Sequence, residues 1–206
     1  VTEIEHLQNI NPELWKVFGL GEIGEGLKGA VFPNWQVGTY EGKAQIAFEL
    51  DFGFSPDPSS LIEVAIQGNN MYLRECFYRS HMTPDDLTSA VKQCVGRGTS
   101  IYCDHRTDLI QMLFDNGMNA HKAIKGADSI DTGIKTMQNY SIFVHPDSLN
   151  LQKEMRYYRY KEDKDGNPIG GKYSDSMNHA IDAGRYGAMG LTYKKKASFA
   201  YVNTGI

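Results

Sequence analysis

Residues 46–78, IAFELDFGFSPDPSSLIEVAIQGNNMYLRECFY, decide the fold. Three stretches within them, Ile46–Phe52, Leu61–Ile66 and Met71–Tyr78, are rich in β-branched and aromatic side chains and have the length of strands. Gly68-Asn69-Asn70 supplies a tight turn between the second and third, which makes that pair a hairpin. The chain therefore enters its core as three antiparallel strands.

Downstream the pattern changes to alternating helices and strands. Thr83-Pro84-Asp85-Asp86 starts a helix, with a hydroxyl cap, proline at the first position and acids in the first turn. That helix runs to about Val95 and stops at Gly96. Ser100–Cys103 is a short apolar strand ending at Asp104, and Asp108–Asn116 is a helix closed by Gly117. Asn119–Ile124 reads as a strand, Ser129–Asn139 as a helix, Ser141–His145 as a strand and Asn150–Tyr158 as a helix, alone or leading into a strand. Lys161–Tyr173 is polar and carries an Asp-Gly and an Asn-Pro, so it reads as a hairpin turn. Its Asp163, Asp165 and Asn167 resemble the start of a calcium loop, but no terminal Glu follows at the required spacing. Ser176–Ala188 is the closing helix, followed by a basic tail. Antiparallel strands followed by βα units predict an α/β domain with a mixed central sheet and helices on both faces, the order of RNase H-like folds.

Upstream, residues 1–43 read as a lead-in or linker, with the folded domain spanning 44–206. A formal GxGxxG at Gly19, Gly21 and Gly24 lacks the helix that a dinucleotide site requires, because Pro33 follows soon after. No Walker A motif occurs. At 206 residues the chain is long enough to bury roughly 70% of its unfolded surface. With 41% hydrophobic and 22% charged residues it is neither disordered nor a coiled coil. No apolar run approaches the roughly 20 residues of a membrane span, so no membrane role is expected. Three cysteines without CxxC spacing point to a reducing, cytoplasmic setting. The net charge is −4, split into −8 over residues 1–121 and +4 over 122–206. The basic part could face a polyanion, but the balance is not that of a tight stand-alone DNA binder.

Three acids stand where chemistry could occur. Asp51 is near the end of the first strand, on the same face as Glu49. Asp104 ends a second apolar strand; if the two strands lie parallel and adjacent, both acids emerge at one sheet edge, where ligand sites of open α/β sheets form. His179 and Asp182, three apart on the closing helix, share a face. Each has an ordinary reading as well: a turn-bonding Asp at a strand end, a helix cap, a surface His–Asp pair. Together they could hold two divalent cations, the arrangement that activates water and steadies the leaving oxygen in phosphodiester cleavage. Oxygen ligands favour Mg²⁺ or Mn²⁺ over zinc.

Six segments, in order, resemble the C-terminal nuclease domain of the large terminase subunit of tailed bacteriophages, the DNA-packaging motor. They are GLGEIGEGLKGAVFPNW (19–35), ELDFGFSPDPSSLIEVAI (49–66), IYCDHR (101–106), KAIKGADSIDTGIKTMQNYSIFVHP (122–146), LQKEMRYYRYKEDKDGNPI (151–169) and NHAIDAGRYG (178–187). The resemblance implies an RNase H-like fold and a sequence-tolerant, metal-dependent endonuclease acting on double-stranded DNA concatemers during genome packaging. It places the metal-binding acids at Asp51, Asp104 and Asp182, with His179 beside them as ligand or proton carrier. Lys122, Lys125, Lys135, Arg156 and Arg159 are then candidates for phosphate contacts, giving weak, sequence-tolerant DNA binding. It also implies an ATPase domain joined through residues 1–43, a portal and a small terminase subunit as partners, and the host cell cytoplasm as location. His105-Arg106-Thr107-Asp108 departs from the family's Ser-Ala-Glu-Pro-like run and leaves Asp108 as one candidate substitute for an accessory acid, with whether it or Glu49 assists the metal site left open. Asn178 stands where relatives often have Asp. Two competing functions are a Holliday-junction resolvase or integrase in the same fold, and a non-catalytic docking module of the motor in which the acids are structural caps.

Overall fold

The computed structural model describes residues 29–53, 56–123, 128–176 and 178–203. Most of the lead-in, with its GxGxxG, and Lys125 lie outside the described residues.

A seven-stranded mixed sheet organises the molecule. Its strands are β1 (Gln36–Val37), β2 (Gln45–Asp51), β3 (Ser59–Gln67), β4 (Asn70–Arg79), β5 (Ser100–Cys103), β6 (Asn119–Lys122) and β7 (Ser141–Val144). They lie in the order β1-β7-β4-β3-β2-β5-β6. The antiparallel meander β2–β3–β4 forms the centre, as the sequence predicts, with a register shift between Leu61 and Ile62. β5 and β6 extend it in parallel on one side, β7 and β1 on the other.

Five helices among the described residues cover both faces. On one face, α1 (Pro84–Cys94) and α2 (Thr107–Asp115) bury Leu87, Val91 and Leu113 against Phe48, Leu50, Leu61, Phe77, Ile101 and Cys103. α1 starts with a full capping box, in which Thr83 Oγ1 accepts from Asp86 N and Asp86 Oδ2 accepts from Thr83 N. On the other face, α3 (Ser129–Gln138), α4 (Leu149–Tyr157) and α5 (His179–Asn203) bury Ile134, Met137, Leu151, Met155, Ile181 and Ala188 against Ile62, Val64, Met71, Leu73 and Val144. The Lys161–Tyr173 region is a hairpin of β8 (Tyr160–Glu162) and β9 (Pro168–Tyr173). No helix among the described residues is long and apolar enough to cross a membrane.

The structure corrects the sequence reading at two places. Residues 30–37, assigned to the linker, belong to the folded unit. Val31 and Phe32 are core residues, and β1 adds an edge strand to β7. A two-residue strand carries too little alternation to be read from sequence. The closing helix starts at His179 rather than Ser176, and it runs on to Asn203 through what reads as a basic tail.

α5 lies flat across β2, β3 and β5 because its glycines remove side chains at the contact. A Cβ on Gly190 would stand 2.4 Å from Cε2 of the buried Tyr102 ring, whereas one on Gly184 would meet Leu73 and Met137 at ordinary distances of 3.7–3.9 Å. Gly190→Ala should therefore lower stability by about 1–3 kcal/mol through overpacking, despite the better helix propensity of alanine. Gly184→Ala should be neutral or stabilising by up to about 1 kcal/mol. Urea unfolding of the two variants checks the contrast; equal effects would contradict the packing described.

Candidate functional site

β2 and β5 run parallel and adjacent, paired through Leu50 and Cys103, and Asp104 N donates to Leu50 O at 3.1 Å. This places Asp51, the last residue of β2, and Asp104, the first after β5, side by side at the carboxyl edge of the sheet. A loop folds back immediately after Asp51. Gly53 permits it, since a Cβ there would lie 2.2 Å from the carbonyl of Pro58, and Gly53 N donates to Ser59 Oγ.

The first turn of α5 reaches the same edge. Asp182 N donates to Asn178 O, which places Asn178 at the start of the helix, and Asn178 Nδ2 donates to Asp182 Oδ2. His179 Nδ1 lies 3.5 Å from Asp51 Oδ2, and Ser60 Oγ on β3 donates to His179 O. The Asp51 carboxylate raises the pKa of the His179 imidazole above its ordinary range, against an opposing effect of burial. Arg185, 1% exposed, donates through Nε and Nη2 to Asp182 Oδ1 and through Nη1 to Ser129 O. Glu49 completes the group. It is fully buried, on the same face of β2 as Asp51, and neither carboxylate oxygen has a hydrogen-bond partner among the described residues. Burial raises its pKa well above the usual carboxylate range, with Asp51, Asp182 and Asp104 adding to the effect and Arg185 opposing it.

Thus four carboxylates and one imidazole share one neighbourhood with a single buried guanidinium. Among the described residues no three His, Cys, Asp or Glu side chains enclose a ready-made ion site. Asp182 faces Arg185 and Asn178, and Asp51 faces His179. The donors nevertheless suit a hard divalent cation, being oxygens with one imidazole, and the orphaned acid beneath them is what a bound cation would compensate.

α5 is held in place by a residue that sequence reasoning missed. Glu154 on α4 is 1% exposed; its Oε2 accepts from Ala180 N and Ile181 N at 2.8 and 3.0 Å, and its Oε1 accepts from Tyr78 OH at 3.0 Å. It caps the start of α5 from another helix, and the Tyr78 ring stands edge-on to His179. α4 is capped the same way by Glu75 on β4, which accepts from Leu151 N and Asn150 Nδ2. The acid in an otherwise amphipathic helix was the available signal; its target, 26 residues away, was not.

The other candidates separate. Asp108 in the first turn of α2 holds Arg106 through both oxygens. Lys122, paired with Cys103 in register, is exposed at the end of β6 and shares the face of Cys103 and Leu50, opposite that of Glu49 and Asp51. Lys135 is ion-paired with Asp131, itself bonded by Tyr173 OH. Arg159 donates to the Arg156 and Tyr158 carbonyls, whereas the Arg156 side chain is exposed on α4.

The model of the Terminase RNase H-like domain family matches residues 51–188. Among solved structures, the large-terminase nuclease domain of bacteriophage SPP1 with bound Mn superposes with a TM-score of 0.66 at 25% identity, covering 76% of this chain and 96% of that one. The large-terminase nuclease of thermophilic phage G20c with bound magnesium gives 0.57 at 15%, covering 78% and 97%. The large terminase of a second thermophilic bacteriophage, in complex with ADP, gives 0.58 at 16%, covering 77% of this chain but 44% of that one. No curated protein matches. The fold is RNase H-like.

Glu154→Ala leaves two buried backbone N–H groups and a tyrosine hydroxyl without their acceptor. It should cost about 3 kcal/mol, and Glu154→Gln, which keeps one acceptor oxygen, should cost less. Chemical denaturation of both variants checks the order. Arg106 holds the Asp108 carboxyl down at about 2. A depressed acid stabilises the fold above its unfolded value and loses that contribution as pH falls through the folded one, so this pair breaks only between about pH 4 and 2. NMR titration should place Asp108 near the lower limit, and Arg106→Ala should return it to about 4.

Proposed function

The chain belongs to the family of terminase RNase H-like domains, and on that footing we propose that it is a divalent-metal-dependent endonuclease. Its substrate is double-stranded viral DNA, cut as concatemers during genome packaging. The observation that carries this reading is the meeting of Asp51, Asp104 and the first turn of α5 at one sheet edge, over an orphaned buried Glu49. Mn and Mg in the SPP1 and G20c relatives support the choice of cation.

In this reading Asp51, Asp104 and Asp182 are the metal-binding acids, with His179 beside them, and the site takes two Mg²⁺ or Mn²⁺ ions. Bound ions would supply water activation and charge stabilisation on the leaving 3′ oxygen. The chain's own residues set the stage. Parallel pairing of β2 and β5 fixes the first two acids side by side. The Glu154 cap fixes the start of α5, and Arg185 aims Asp182. His179 holds a proton at Nδ1 against Asp51. Lys122, at the carboxyl end of β6, remains a proposed phosphate contact. Lys125, Lys135, Arg156 and Arg159 remain proposed phosphate contacts. Such contacts position a duplex without reading it, so binding is weak, salt-dependent and sequence-tolerant.

The ADP-bound large terminase, of which the match covers 44%, supports a nuclease portion of a longer protein. We place an ATPase domain ahead of it, joined through the lead-in that precedes the folded unit. The portal and small terminase subunit are the partners of the assembled motor, and the host cell cytoplasm is the compartment.

Nicking of supercoiled plasmid tests the proposal. Wild-type protein should nick in Mn²⁺ and not in Ca²⁺, whose larger, looser coordination shell positions the attacking water poorly. Asp51→Ala should reduce nicking to background while melting as a folded protein. Undiminished cleavage by the folded variant would sink the metal-site assignment.

A further inference from the structure

Glu49 has no place in the three-acid site just described, yet it is the one acid among the described residues with both oxygens buried and unpartnered. Its side chain is fully buried, and both oxygens lack hydrogen-bond partners among the described residues. Other buried acids are provided for. Glu154 makes three hydrogen bonds, and Glu63 is held by Tyr40 OH and the Arg74 guanidinium. A buried carboxyl group without a hydrogen-bond partner is costly in either protonation state, so an orphan of this kind calls for an explanation such as an ion.

The surroundings of Glu49 say where its carboxylate is directed. Alternate residues of a strand share a face, so Glu49 sits one step, roughly 7 Å, behind Asp51 along β2. α5 covers it, and a Cβ on Gly187 would lie 3.6 Å from the Glu49 Cβ. With strand behind and helix above, the side chain runs between them. In register Glu49 pairs with Tyr102, two residues before Asp104, as it stands two residues before Asp51 on β2, so it lies one step behind both acids of the sheet edge. Arg185, the one buried cation among the described residues, makes its hydrogen bonds to Asp182 and Ser129, not to Glu49.

We infer that Glu49 is a fourth metal-binding carboxylate of this site, contributing an oxygen to a divalent cation from the floor formed by β2 and α5. The inference rests on the metal-site reading above and extends its ligand set from three acids to four. An acid on the floor explains why a charged residue is fully buried in β2, between Phe48 and Leu50.

The test measures Mn²⁺ binding by the wild-type protein, Glu49→Gln, Glu49→Leu and Asp51→Asn, by calorimetry and by the EPR signal of free Mn²⁺. Melting temperatures in chelator are recorded alongside. Both Glu49 variants fill the buried volume without an acid, so they should melt no lower than wild type when metal-free. Their Mn²⁺ affinity should fall at least about tenfold, the scale of loss seen when groups supporting a metal site are removed. Wild-type affinity in the folded Glu49 variants, with binding lost in Asp51→Asn, would overturn this inference and leave the three-acid site standing. A wild-type protein that binds no Mn²⁺ would overturn the metal-site reading and this inference together.

Discussion

Two backbone N–H groups at the start of α5 find their acceptor on another helix, in the carboxylate of Glu154. The candidate site depends on that contact. His179 and Asp182 belong to the turn it secures, and an uncapped helix end would leave buried donors unpaired. The contact is one link in a series. Glu75 on β4 caps α4, α4 presents Glu154, and Glu154 caps α5. The central meander is thereby tied, through two helix starts, to the residues at its own carboxyl edge. Ser60 adds a direct tie from β3 to the His179 carbonyl.

Acids gather at that edge. Among the described residues Glu49, Asp51, Asp104 and Asp182 lie near one fully buried guanidinium, that of Arg185, which is bound to Asp182 and Ser129. Room for Arg185 comes from α3, where a Cβ on Gly133 would stand 2.2 Å from the Arg185 Cγ. Removing acids from water without full compensation is unfavourable, and a divalent cation is the compensation that this donor set suits.

Much of this was legible in the residues. The apolar strands ending in Asp51 and Asp104 announced both acids, and parallel pairing brought them to one edge. The Thr83 cap and the hairpin turn at Gly68-Asn69-Asn70 were local signals, and local chemistry decided both. What stayed hidden was non-local. β1 is two residues long and exists because β7 offers an edge to pair with. The role of Glu154 depends on a partner helix, and the burial of Glu49 depends on α5 lying flat over it. The pairing of Asp108 with Arg106 rests on a side-chain direction that the residues alone leave open.

The central claim is that these acids form a divalent-cation site. Crystals soaked in Mn²⁺, measured at the manganese edge, test it most directly. The account predicts anomalous peaks between Asp51, Asp104 and Asp182, with a Glu49 oxygen turned towards one of them. An empty edge at saturating Mn²⁺, with Asp51 still against His179 and Asp182 still against Arg185, would contradict it.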